Sequence, residues 1–296
     1  APPSSGGSTV GEALNILEAS DLGDPTQTLH HYLEASALAF ADRNRYVGDG
    51  TDRALLDQLL SPGYAAQRAC LIDPAHALAK PVAPGVPGDP AGCAVGPAAD
   101  AVVPEFGTTH LTVADRWGNL VAYTLTIEQT GGNAMVVPGR GFLLNNELTD
   151  FNFVPTQGSA PDPNLPAPGN RPRSSMAPTL VLRDGQPVLA LGSPGGSTII
   201  TTVLQILVNR LDLGMSLAEA IAAPRATQRN TTTVQAEPGF LAAPDAALLA
   251  ALGHAFAATP EIGAATGIEL CADGTMLAAA EPTRRGGGAA AVVRPD

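Results

Sequence analysis

The sequence predicts an α+β fold of packed layers, and three observations predict it. Helical periodicity runs from Thr9 to about Ser61, strand-turn-strand patterns take over at Thr108, and hairpins then alternate with apolar helices to the end of the chain. Strands with helical segments on either side bury their apolar faces best as layers. The 296 residues suffice for a sizeable core, although aromatics make up only 4% and Ala, Val and Leu must fill it.

Val10, Leu14 and Leu17 share one face of a first helix, and Leu29, Leu33, Ala37 and Phe40 form the stripe of a second over Thr26 to Tyr46. Asp52 to Leu60 reads as a third, stopped by Ser61-Pro62-Gly63. Lys80 to Gly107 carries Gly and Pro punctuation that forbids a regular element. Thr108 to Ala114 and Leu120 to Ile127 then alternate as strands around the turn Asp115-Arg116-Trp117-Gly118-Asn119. Phe142-Leu143-Leu144 reads as a short strand, and Pro155 to Pro172 as a second proline-rich excursion. Asp184-Gly185 turns a hairpin from Thr179–Arg183 into Val188–Leu191. Helices follow over Thr198 to about Leu213, after the capping box Ser216/Glu219, and from Pro244 to Gly253; a hairpin over residues 267–280 closes the chain.

Charge excludes some functions. The net charge is −12 and Lys80 is the only lysine, so neither nucleic acid nor an anionic membrane surface is an expected partner. No apolar run is long enough to span a bilayer. Cys70, Cys93 and Cys271 lack metal-ligand spacing; Cys70 and Cys93 flank the Pro/Gly stretch and could bridge, but small buried hydrophobes are the favoured expectation. The first residues lack the pattern of a signal peptide, and the chain reads as a processed or truncated product.

Four segments carry the chemistry. The hairpin turn lies midway between Thr108 and Thr126, so pairing can bring their hydroxyls close. Glu147 and Asp150 place two carboxylates three residues apart; Ser174 and Ser175 offer adjacent hydroxyls before a strand; Gly195 and Gly196 lie between a strand and a helix, where backbone N–H groups can face an anion. Singly these read more plainly as a strand start, a solvated strand end, a turn and a packing device.

Together they resemble the γ-glutamyltranspeptidase family. The matching strings are Pro2-Pro3-Ser4-Ser5-Gly6-Gly7, Thr108-Thr109-His110, Leu144-Asn145-Asn146-Glu147, Asp150-Phe151, Arg171-Pro172 with Ser174-Ser175-Met176, and Gly192-Ser193-Pro194-Gly195-Gly196-Ser197, in family order. The resemblance implies a four-layer αββα Ntn-hydrolase sandwich, with residues 1–107 as the last part of a large subunit and 108–296 as the small subunit. It implies self-cleavage between Gly107 and Thr108, Thr108 as nucleophile with its freed amine as base, and Thr126 as its orienting partner. Gly195 and Gly196 would form the oxyanion hole. Glu147 and Asp150 would bind the α-ammonium of a γ-glutamyl substrate, Ser174 and Ser175 its α-carboxylate, and water or an amine would accept the acyl group. No cofactor and no metal is implied, and kinship suggests a periplasmic or secreted protein. Residues 155–169 fall where many members carry a lid loop.

Two departures stand out. Glu128 occupies a place where the family usually has Asn, adding a carboxylate that favours an ammonium and repels a carboxylate unless Arg171 or Arg173 turns inward. The family's arginine for the α-carboxylate lies upstream of this chain, so an N-terminal remainder of the large subunit is an expected partner. A related acylase, of cephalosporin side chains for example, and an inactive relative that binds amino-acid-like ligands are the alternatives.

Overall fold

The computed structural model describes residues 5–88, 93 and 107–293. Helix α1 (Gly6–Leu17) buries Val10, Ala13, Ile16 and Leu17. Helix α2 (Pro25–Tyr46) starts where the Asp24 side chain accepts the Gln27 N–H and Pro25 supplies a preset first turn. The four residues of its expected stripe are buried. Its opposite face is buried too, and carries charge: Asp42 pairs with Arg68 at 2.8 Å and Glu34 with Lys80 at 2.7 Å.

Helix α3 (Arg53–Leu59) is followed at once by α4 (Pro62–Ala69), where the sequence reading has only a stop. Ser61 caps α4 by accepting the Tyr64 N–H, and Pro62 occupies a position without need of an N–H, so Ser-Pro here begins a helix. Cys70 lies exposed at its end and is bridged to Cys93 with Cα atoms 6.1 Å apart, which corrects the expectation of two buried hydrophobes; Cys271 is free. Residues 80–88 form no helix or strand, and most of the stretch on to Gly107 lies outside the described residues.

Strands β1 (Thr108–Ala114) and β2 (Leu120–Thr126) form an antiparallel ribbon, β3 (Thr179–Arg183) and β4 (Gln186–Gly192) a second hairpin. Helices α5 (Thr198–Leu211) and α6 (Leu217–Ala222) follow, the latter with the expected capping box. Then come β5 (Ala226–Thr227), β6 (Val234–Ala236), α7 (Pro238–Leu241), α8 (Pro244–Ala251), β7 (Phe256–Ala258), β8 (Thr266–Leu270) and β9 (Met276–Ala280). Strands β3-β4-β8-β9 make one sheet and β5-β6-β7 another. Phe142 to Leu144 is no strand: only an isolated Val136–Leu143 bridge forms, and all three residues are exposed.

Alternation along β4 sets the layers. Leu189 and Leu191 join Ile199, Val203, Ile206 and Leu207 of α5, Leu217 and Ile221 of α6 and Val10 of α1 in one core. The other face receives the β1–β2 ribbon, where the His110 ring lies over Gly192 and Thr112 reaches Thr266. A second core joins Ile16, Leu33 and Leu38 to Leu204, Val234 and Leu249, uniting elements before and after Thr108. The ribbon's outer face leaves Leu111, Val113, Val121 and Tyr123 exposed. Among the described residues, no helix is long and apolar enough to cross a membrane.

His110 is buried between Thr124 (2.8 Å) and Thr112 (3.2 Å), and burial pushes its pKa down to about 4. An unfolded histidine binds its proton near 6.5 and the folded one only near 4, so acid in this window favours the unfolded chain. The destabilisation caused by His110→Gln should therefore be largest above pH 6.5. It should shrink as pH falls toward 4, by at most about 1.4 kcal/mol per pH unit. Urea denaturation at pH 7.5, 6 and 5 measures this; a gap independent of pH contradicts a neutral buried imidazole.

Candidate active site

The antiparallel register sets Thr108 opposite Thr126, and their Oγ1 atoms lie 2.9 Å apart. Thr126 Oγ1 also accepts the Glu128 N–H at 2.9 Å, which fixes its rotamer. From the far end of the chain, Arg285 donates to the Thr108 carbonyl at 3.2 Å. Gly107 is held tightly: a Cβ there would fall 2.2 Å from the Glu128 carbonyl oxygen and 2.5 Å from the Gln129 carbonyl carbon. No side chain fits before Thr108 without moving main chain.

Glu147 and Asp150 bound a single 3₁₀ turn that brings their side chains into hydrogen-bond contact. Glu147 is half-buried, and its pKa is pushed up to about 7, first by burial, then by the Asp150 charge and hydrogen bond, then by Glu128. Glu128 is buried, at backbone φ 71°, and its two carboxylate oxygens have no hydrogen-bond partner. The three carboxylates predicted for substrate binding thus sit together.

Ser174 and Ser175 are organised from the first residues of the chain. The Ser5 N–H and hydroxyl both donate to the Ser174 carbonyl at 2.8 Å, and Ser174 Oγ accepts the Met176 N–H at 3.2 Å. Arg43, buried on α2, donates through Nε to Ser5 Oγ (2.8 Å) and through Nη2 to Ser175 Oγ (2.7 Å). Ser175 and Asp150 line one cavity of about 30 Å³ with Arg43, Arg173 and Arg229. Of the two arginines weighed from the sequence, Arg173 turns inward onto the carbonyls of Arg43 and Val47, whereas Arg171 stays exposed on Asp49.

Gly195 and Gly196 take φ of 144° and 57°, a turn that only glycine makes freely, and lead into α5. Neither N–H is spent in a hydrogen bond among the described residues. The turn therefore presents two donors and a helix N-terminus to an anion. Gly195 and Arg285 line a shared cavity of about 50 Å³, so the side chain that bonds the Thr108 carbonyl borders the same space as this turn.

Sequence reasoning missed Arg43 and Arg285. A polar run inside a helix, Asp42-Arg43-Asn44, was the available signal for the first; the second sits in a C-terminal turn with no pattern. One group among the described residues has metal-ligand spacing: His30, Glu34 and His254, whose ligand atoms lie within 4.8 Å of one another. There the Lys80 ammonium already holds both Glu34 oxygens at 2.7 Å, and His30 is engaged by the Asp73 carbonyl and His254. This donor set is a closed ion-pair network.

Residues 1–292 match the family described as Gamma-glutamyltranspeptidase. The chain belongs to the γ-glutamyltranspeptidase family. It is 38% identical over 96% of its length to the glutathione hydrolase proenzyme of Bacillus subtilis (strain 168), and 36% identical over 94% to the Acylase ACY 1 proenzyme of Pseudomonas sp. (strain SE83). It covers 49% and 47% of those proteins, so the chain spans about half the length of these curated relatives. The cephalosporin acylase structure from Bacillus halodurans superposes with a TM-score of 0.76 at 27% identity, over 100% of this chain and 51% of that one. The γ-glutamyltranspeptidase fold is the mixed helix and sheet sandwich of the Ntn hydrolases, and its members are hydrolases and transferases made as proenzymes.

Arg43 orients the Ser175 hydroxyl through one hydrogen bond, so its effect on any ligand held by Ser175 would be indirect. Arg43→Lys keeps the charge but cannot serve Ser5 and Ser175 at once. It should raise KM for a carboxylate-bearing donor roughly 10-fold or more, the scale of one charged hydrogen bond, with kcat little changed. Steady-state kinetics beside Ser175→Ala, which should reproduce the effect, checks it.

Proposed function

We propose that this chain forms the catalytic part of a γ-glutamyl hydrolase and transpeptidase that cuts its own Gly107–Thr108 bond. The observation that carries the reading is the Thr108–Thr126 hydroxyl pair at the first position of a packed strand, preceded by a glycine at which a Cβ would clash with main chain. Thr108 Oγ attacks the Gly107 carbonyl carbon, the amide nitrogen leaves, and water hydrolyses the resulting ester. The products are a Gly107 carboxylate and a Thr108 α-amine.

That amine, with an ordinary pKa of about 7.7–8.0, is then the base the hydroxyl needs. It takes the Thr108 proton as Oγ attacks the γ-amide carbon and returns it to the leaving amine. The oxyanion lies against the N–H groups of Gly195 and Gly196. Thr126 fixes the hydroxyl, Arg285 fixes the Thr108 carbonyl, and water or an acceptor amine releases the acyl group. Glu147 and Asp150 bind the donor ammonium, and Ser174 and Ser175, backed by Arg43, its carboxylate. Glutathione is a donor of this kind.

The likeness to Acylase ACY 1 and to the cephalosporin acylase supports a second reading, the same chemistry on another acyl group. Residues 1–107 and 108–296 act on this reading as the end of a large subunit and a complete small one. A further part of the same protein then covers Leu111, Val113, Val121 and Tyr123 and completes the sandwich. The Cys70–Cys93 bridge supports a periplasmic or secreted location, where disulfides persist.

Intact mass and hydrolysis of γ-glutamyl-p-nitroanilide by the protein that carries this chain test the proposal. Wild type should split between Gly107 and Thr108. Thr108→Ala should stay whole and lose at least about 10³-fold in turnover, the loss expected for a removed nucleophile. Cleavage or turnover by Thr108→Ala at the wild-type level contradicts the mechanism. Because Glu147 titrates near pH 7 and binds ammonium only when ionised, KM should rise as pH falls below about 7. Glu147→Gln should flatten that limb, and an unchanged profile in the variant contradicts the role given to Glu147.

A further inference from the structure

The peptide planes that carry the N–H groups of Gly195 and Gly196 are both fixed from their carbonyl edges. The Ser193 hydroxyl donates to the Pro194 carbonyl at 2.7 Å, and the Thr198 N–H and hydroxyl donate to the Gly195 carbonyl at 3.1 and 2.7 Å. In a trans peptide the N–H points opposite the C=O, so these bonds aim both donors away from their carbonyl partners. The far end of the turn is Ser197, at the N-cap of α5. Its backbone is already helical, at φ −65° and ψ −17°, and its hydroxyl caps no N–H of the helix. The rotamer of Ser197 is set from elsewhere.

Arg229 sets it. Only 4% exposed, Arg229 donates through Nη1 to Ser197 Oγ at 2.5 Å and through Nη2 to Gln235 Oε1 on β6 at 2.5 Å. The turn that carries Arg229 is anchored twice. Gln228 accepts the Thr231 N–H at 2.9 Å and donates to the Thr231 carbonyl at 3.1 Å. Asn230, at φ 63°, exchanges bonds of 2.6 and 2.9 Å with the Val82 backbone. Further along α5, Thr201 Oγ1 lies 2.7 Å from Thr227 Oγ1, a second rung between α5 and the β5 segment. A guanidinium beside a helix N-terminus opposes the helix dipole, so its placement here is locally unfavourable, but it adds to the field that favours an anion on the turn. Arg229 and Ser197 also line the cavity of about 30 Å³ that Ser175 and Asp150 line, so this buried cation borders the same space as the donor-binding side chains.

We propose that Arg229 is a positioning residue for the oxyanion turn: through Ser197 it holds the Gly195 and Gly196 donors in register with the acyl carbon at Thr108. This rests on the oxyanion role given to that turn above and adds the side chain that sets its geometry. Arg229 acts through Ser197, so its loss displaces the donors rather than removing them. The charge that develops on the acyl oxygen in the transition state feels that displacement, whereas a ground-state donor held by its ammonium and carboxylate does not.

The test uses the self-cleaved protein that carries this chain, with rates normalised to cleaved molecules. Arg229→Met removes the guanidinium and keeps an unbranched stem. Its kcat for L-γ-glutamyl-p-nitroanilide should fall about 10- to 100-fold, while KM stays within about threefold. Ser197→Ala should reproduce the loss, and the double variant should be no slower than the slower single variant. Two inhibitors separate positioning from folding. 2-Amino-4-boronobutanoic acid puts boron at the acyl carbon: the Thr108 oxygen adds to it, the hydroxyl proton passes to the Thr108 amine, and a boron hydroxyl stands in the oxyanion's place. L-Glutamate fills the same site without that tetrahedral centre. Arg229→Met should weaken the boronate at least about tenfold and L-glutamate less than about threefold. An unchanged kcat, or equal weakening of both inhibitors, overturns the inference and leaves the proposed function standing. Should Arg229→Met not fold or not cleave, Ser197→Ala decides by the same two inhibitors. No turnover by folded, cleaved wild type overturns both.

Discussion

The antiparallel register that sets Thr108 against Thr126 is the constraint from which the rest of the site is built. Side chains alternate along a strand, so a slip of one strand by one residue would set the two hydroxyls on opposite faces of the ribbon and part them. The inner face resists such a slip because it is polar and specific. His110 bonds Thr124 and Thr112 and lies over Gly192, and each contact is lost if the register moves. Burying a neutral imidazole among hydroxyls thus serves a positional purpose: it fixes which threonine stands first on the strand.

Charge is segregated around that fixed point. Arg43, Arg173 and Arg229 gather on the side of Ser175, whereas Glu128 and Glu147 gather on the side of Thr126, with Asp150 between them. Arginine tolerates burial here because carbonyls and hydroxyls take its fork of donors. The carboxylates have fewer internal donors, and Glu147 responds by holding its proton to higher pH. A ligand entering here would therefore meet opposite charges on two sides of Asp150, which would orient it.

What could be read in the sequence was what depends on neighbours along the chain. The Thr108–Thr126 pairing followed from a turn placed midway, and the α6 cap from Ser216 and Glu219. Ser61-Pro62 misled because a helix stop and a helix start share those residues, and only packing of Tyr64 and Ala65 decides between them. Phe142 to Leu144 has strand composition but no neighbouring strand among the described residues. Strands β5 to β7 are too short for periodicity and include a parallel pair made at a distance. The Arg43–Ser175 bond joins residues 132 positions apart, and no local pattern announces it. The pairing of Cys70 with Cys93 was one of two open readings, decided only by where the chain returns.

The site is built from both sides of the Gly107–Thr108 bond, and this bears on how the chain could survive its scission. Ser5 and Arg43 come from one side, and Ser174, Ser175, Glu147 and Asp150 from the other. The two sides share a core in which Ile16, Leu33 and Leu38 meet Leu204, Val234 and Leu249. Buried polar bonds cross as well: Tyr32 donates to the carbonyls of Thr201 and Ala226, and Asn230 exchanges two bonds with the backbone of Val82. The disulfide does not cross, since Cys70 and Cys93 both precede Gly107. Were the Gly107–Thr108 bond cut, cohesion would therefore fall to this packed interface, whose core contacts and buried hydrogen bonds do not depend on the peptide bond. The new terminus at Thr108 would stay seated by its strand register and by Arg285 on its carbonyl. Its amine would emerge beside a hydroxyl already oriented by Thr126, with no rearrangement needed to begin turnover.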